Sequence, residues 1–121
     1  MKSLAAACVI LVAGVGPTLA ATPIDGTWYF ECNPDIPDAE NTTVIGDDKI
    51  VSGGLVCDII NINRIGGEGQ VWRLSNSCVE QDERWIEDVI FGIEVDIDGK
   101  ILHLVEVGMN EGYVVTYLTC K

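Results

Sequence analysis

Apolar and acidic side chains alternate one for one through Ile93-Glu94-Val95-Asp96-Ile97, and the alternation resumes through Lys100-Ile101-Leu102-His103-Leu104-Val105. A period of two marks a strand with one buried face. Between the runs, Asp98-Gly99 is a dipeptide suited to a two-residue type I′ turn, whose central residues both need positive φ. That turn sets 97 opposite 100, 95 opposite 102 and 93 opposite 104. Phe91, Ile93, Val95, Ile97, Leu102 and Leu104 then share one face, with Glu94 facing His103 on the other.

The remaining pattern is read the same way. Residues 27–31 (TWYFE) are rich in aromatic and β-branched side chains and predict a strand. Residues 33–41 carry Pro34, Pro37 and several acids, and read as an exposed loop. Residues 42–45 and 49–51 predict a short hairpin around Gly46-Asp47-Asp48. A strand at 55–62 follows Gly53-Gly54, and Gly66-Gly67-Glu68-Gly69 is a turn. Another strand starts at 70 and runs to 74 or on to 79. Acids at 80–83 interrupt the pattern before a strand at 84–97, of which 84–90 alone also fits a helical period. A turn at 109–112 precedes the last strand, 113–120. Seven or eight short strands predict an all-β domain: a small antiparallel barrel, with a sandwich as the alternative. Barrel closure also removes edge strands.

Residues 1–20 follow a different pattern, that of a secretory signal peptide. Lys2 supplies the positive start, 4–15 are twelve uncharged and mostly apolar residues, Gly16-Pro17 breaks the helix, and Thr18-Leu19-Ala20 ends in a small residue. Cleavage is expected after Ala20, with Ala21 the alternative. Twelve residues fall short of the roughly 20 that span a bilayer. A lipid anchor on Cys8 would leave almost no apolar region ahead of it. The expected product is one domain, 21–121, periplasmic or secreted, with no membrane insertion after cleavage.

Cysteine usage fits that compartment. Cys8 leaves with the leader, and Cys32, Cys57, Cys78 and Cys120 remain, an even count that reads as two disulfides. A zinc site would want a close pair such as C-x₂-C, whereas these gaps are 25, 21 and 42 residues. Pairing the strands around residues 63–72 so that opposed numbers sum to 135 puts Cys57 opposite Cys78. Cys32–Cys120 would then tie the first strand to the last.

Acidity narrows the partners. The leader holds Lys2 and no acid, so the formal charge of −12 becomes about −13 after cleavage. Such a charge repels phosphate backbones and anionic lipid, which argues against nucleic-acid and membrane-surface roles. It favours solubility and cationic partners.

Candidate chemistry is sparse. Glu94-Val95-Asp96-Ile97-Asp98-Gly99 has the opening spacing of an EF-hand loop, but the twelfth position is Val105, not Glu, and the β alternation forbids flanking helices. No metal or other cofactor is expected. His103 is the lone histidine, and Ser52, Ser75 and Ser77 sit in no nucleophile elbow, so His103–Glu94 reads as a surface pair. Asn41-Thr42-Thr43 is a formal glycosylation sequon, silent in a bacterial chain. The densest acidic segment is Glu80, Asp82, Glu83, Glu87 and Asp88, interrupted by Arg84 and Trp85. An aromatic anchor ringed by carboxylates suits a cationic protein partner.

Gly26-Thr27-Trp28 on the first predicted strand resembles the G-x-W signature of lipocalin-type barrels, which implies a Trp plugging the closed end. The same motif occurs in periplasmic lipocalin-like metalloprotease inhibitors; the match covers Gly26 and Trp28, and those inhibitors carry one disulfide rather than two. The wider pattern is G-x-W, then Cys32, a central Cys57, Trp72 before Cys78-x-Glu80, and Tyr117-x-x-Cys120. It is similar to small periplasmic four-cysteine proteins of unknown function and implies no activity.

The stapled scaffold, the acidity and the missing catalytic machinery point to an exported binding or inhibitor-type module for a cationic envelope or secreted protein. A small-ligand carrier or structural envelope protein is the alternative, and an enzyme ranks behind both.

Overall fold

The computed structural model describes residues 22–65 and 70–120. The leader, its cleavage site and the turn at Gly66-Gly67-Glu68-Gly69 lie outside the described residues. Eight strands wind in sequence order into a closed antiparallel barrel: β1 (Gly26–Tyr29), β2 (Thr42–Ile45), β3 (Lys49–Ser52), β4 (Leu55–Arg64), β5 (Val71–Glu80), β6 (Glu83–Val95), β7 (Ile101–Gly108) and β8 (Tyr113–Leu118). The stretch 84–90 is strand, inside β6.

Side-chain alternation turns one face of each strand inward. Trp28, Ile45, Ile50, Ile59, Trp72, Leu74, Val89, Phe91, Ile93 and Leu104 belong to the buried core. In an up-and-down meander successive turns lie at opposite ends. The turns after β2 and β6 mark one end, and the chain entering β1 closes it: Ile24 is fully buried, and its carbonyl accepts the Trp28 indole N–H at 2.8 Å. The turns after β3, β5 and β7 mark the other end, which is open.

Both expected disulfides are present. Cys57 and Cys78 are direct partners across β4 and β5, with Cα atoms 4.0 Å apart. Numbers that sum to 135 face each other from Val56 to Ile59; from Asn61 to Arg64 the sum is 136. Ile60 is the extra residue, a bulge that leaves its side chain exposed and bends β4 into the barrel wall. Cys32–Cys120 bridges the seam, where β1 and β8 share a single residue pair, Tyr29 with Leu118. The Phe30 and Tyr117 rings meet beside it at 5.1 Å.

The segment 33–41 is not an exposed loop throughout. It ends in the one-turn helix α1 (Asp38–Asn41), and Asn41 is buried. The Asn41 amide accepts from Glu31 N–H at 3.0 Å and donates to Glu31 C=O at 2.7 Å. A side chain thus imitates a strand partner just before Cys32, and the sequon asparagine faces inward.

The β6–β7 turn also differs from expectation. Glu94–His103 and Ile93–Leu104 pair as predicted, but Val95 faces Ile101, with the register slipping by one. The Asp96 carboxylate accepts N–H groups from Asp98 and Lys100, both at 2.9 Å, and Gly99 N–H reaches Asp96 C=O. Only Gly99 of the turn has positive φ, at 84°. The result is a three-residue loop, Ile97-Asp98-Gly99, in place of a type I′ turn. Ile97 therefore sits in the loop and is 99% exposed, while Val95 and Leu102 lie on the surface instead of the core face.

Candidate functional site

Inward positions near the open end break the apolar rule. Asn76 follows Trp72 and Leu74 along β5, Glu87 precedes Val89 and Phe91 along β6, and Glu106 follows Leu104 along β7. Each is a polar side chain at an interior parity. Tyr113 and Tyr117 enter from β8, and Thr43 and Ser52 from β2 and β3. Together with Trp85 they line a cavity of about 300 Å³ above the apolar floor.

Glu106 organises this space. It is 9% exposed, and its two oxygens take one phenol each: Tyr113 Oη donates to Oε2 at 2.5 Å, and Tyr117 Oη to Oε1 at 2.6 Å. Thr43 Oγ1 lies 3.3 Å from Tyr117 Oη and 2.9 Å from Ser52 Oγ. The Trp85 indole N–H donates to Glu87 Oε1 at 3.0 Å. One buried acceptor is left over among the described residues: Asn76 Oδ1 has no hydrogen-bond partner, on a side chain 1% exposed. The Glu87 carboxylate lies within 4.8 Å of the Cys57 and Cys78 sulfurs. Those sulfurs are joined in a disulfide and offer no thiolate to a metal.

Burial, then the neighbouring Glu106 carboxylate, holds both phenols well above the ordinary tyrosine range. Because the folded state keeps protons that the unfolded chain releases near pH 10, their contribution to stability is complete below that pH and lost as pH rises further. Alkaline titration at 295 nm should therefore show Tyr113 and Tyr117 ionising only with loss of the β-sheet circular dichroism signal. Reversible ionisation of Tyr113 and Tyr117 near pH 10 in an intact barrel would contradict this geometry.

A second cleft, of about 390 Å³, adjoins the cavity and shares Trp85, Glu87, Glu111 and Tyr113 with it. It forms because β6 outruns its neighbour: pairing with β7 ends at Val89–Gly108, while β6 continues to Glu83. Glu83, Glu87, Asp88 and Glu111 line the cleft, and no Lys, Arg or His lines either space among the described residues.

Strand alternation divides the acidic segment expected to form one patch. Glu80, Asp82 and Glu83 sit exposed at the β5–β6 tip, around Gln81 at φ 56°. Trp85 is half-buried and packs against the core, with Glu87 beside it on the inner face. Asp88 is on the outer wall, where it accepts from Ser75 Oγ at 2.6 Å and lies 3.7 Å from Arg73. His103 also faces outward, 3.0 Å from Glu94, away from the cavity residues. Sequence reasoning passed over Asn76, Glu106, Tyr113 and Tyr117. Their signal was the parity of Asn76 and Glu106 with apolar neighbours two residues away. No family model, curated protein or solved structure matches the chain.

Proposed function

We propose that this is an exported, non-catalytic binding module whose open barrel end docks a cationic envelope or secreted protein. The cleft beside β6 carries this reading: Glu83, Glu87 and Glu111 line it together with Trp85, exposed Ile86 and Tyr113, while the Asp88 carboxylate turns to Ser75 and Arg73, and no cation is among the lining residues. The leader-like pattern at 1–20 and the two disulfides support passage to an oxidising compartment. A charge of about −13 after cleavage adds long-range attraction for basic surfaces. The exposed tip, with Glu80, Asp82 and Glu83, steers the approach, and Trp85 at the rim supplies the anchor.

The test is stopped-flow binding to a panel of basic secreted hydrolases, with acidic proteins of equal size as controls. The association rate should fall steeply with salt. Neutralising Glu80, Asp82 and Glu83 together should slow association more than it speeds dissociation. Trp85→Ala should weaken the complex by about 2 kcal/mol, roughly 30-fold. Equal binding to acidic proteins, or rates indifferent to salt, would overturn the proposal. A small-ligand carrier is the second reading, and the unpartnered Asn76 Oδ1 favours it.

A further inference from the structure

The inner cavity is chemically more selective than the cleft. Of its polar wall groups, Glu87, Glu106 and Glu111 are carboxylates, and Asn76 presents a carbonyl oxygen that no group among the described residues satisfies. The tyrosine hydroxyls are committed as donors to Glu106. What the wall lacks is a hydrogen-bond donor for Asn76 and a positive charge for the three acids. A buried acceptor without a donor is costly.

Ligand classes sort themselves against that wall. An anion would meet three carboxylates. A neutral apolar molecule would leave Asn76 Oδ1 unpaired. A bare metal ion would compete for Glu106 oxygens that each already hold a phenol. An organic ammonium or guanidinium brings donors and charge together, and the ring faces of Trp85 and the tyrosines suit a cation. The volume is at the small end of ligand sites, so the ligand is short.

We infer that the open half of the barrel interior binds the head group of a small organic cation, an alkylammonium or alkylguanidinium. Glu87 and Glu106 balance its charge, and Asn76 Oδ1 accepts one of its N–H groups. The head group belongs either to a free molecule or to a lysine or arginine side chain of a docked protein. The inference shares the barrel end with the proposed function but needs no protein partner.

Calorimetric and tryptophan-fluorescence titrations of the oxidised protein with n-butylamine, agmatine and N-acetyl-lysine amide test it at fixed ionic strength, with n-butanol and butyrate as controls. The cations should bind saturably and the controls should not. Glu106→Gln and Glu87→Gln should each weaken binding about tenfold or more, as loss of a charged partner does. Asn76→Leu should weaken it several-fold, with the β-sheet spectrum unchanged. Glu87→Gln, at a half-buried rim position, serves as the folded test should Glu106→Gln misfold. Competition between agmatine and a basic hydrolase would identify a protein side chain as the natural occupant. Agmatine binding without such competition would identify a free cation, whether or not the docking proposal stands. Absent cation binding, equal binding of n-butanol, or indifference to both Glu87→Gln and Asn76→Leu would overturn the inference, while leaving protein docking to its own salt-dependence test.

Discussion

Replacing Cys32 and Cys120 together with serine should destabilise the protein by about 4.5 kcal/mol, the chain-entropy value for a closed loop of this length. The bridge spans 88 residues, against 21 for Cys57–Cys78, whose removal should cost nearer 3 kcal/mol on the same scale. The difference should be larger in practice, because the two bridges sit in unlike surroundings. Cys57 and Cys78 lie on strands already paired along most of their length. Cys32 and Cys120 span a seam with one residue pair, where the Phe30–Tyr117 ring contact is the chief other tie. Urea denaturation of the two double variants checks the order. Equal losses would mean that the seam holds without its bridge.

Gly108→Ala should cost about 3 kcal/mol, although alanine suits a strand better than glycine does. Gly108 faces Tyr113 across β7 and β8, and a Cβ at 108 would overlap the Tyr113 ring. The ring cannot swing aside freely, because its hydroxyl is hydrogen-bonded to Glu106. Overpacking of this kind costs about 1–3 kcal/mol, and a hydrogen bond to a charged group about 1.5–3 kcal/mol. A double-mutant cycle isolates the cause: in a Tyr113→Ala background the penalty of Gly108→Ala should nearly vanish. An undiminished penalty would place the strain in the backbone.

How much of this was legible in the chain depends on what hydropathy can encode. Strand positions and both disulfides followed from alternation and from simple pairing of opposed residues. The two register slips did not, because an isoleucine is apolar wherever it lies. In β4 the bulge leaves Asn61 exposed where strict alternation would turn it inward, and packs Ile62 against the core instead; Ile97 looks like a core residue, and the loop built on the Asp96 hydrogen bonds puts it outside. The site was harder. Trp85 and Glu87 fall within the acidic segment singled out from sequence, but charge density alone does not say which acid the strand turns inward. Glu106 and the two tyrosines meet across the β7–β8 hairpin, and Asn76 reaches them from β5, two strands away, only through the curvature of the barrel. Asn41 was read by its sequon, whereas its amide serves the backbone of Glu31.

The strand order has a consequence for how the molecule assembles. Seven of its eight strand pairings join neighbours in sequence, so each can form through a local connection, the longest being the twelve residues between β1 and β2. The pairing of β1 with β8 alone demands a long-range search, and the entropy of that search falls on a single closure event. Until it occurs, the first and last strands are both open edges with complementary partners on any second copy of the chain.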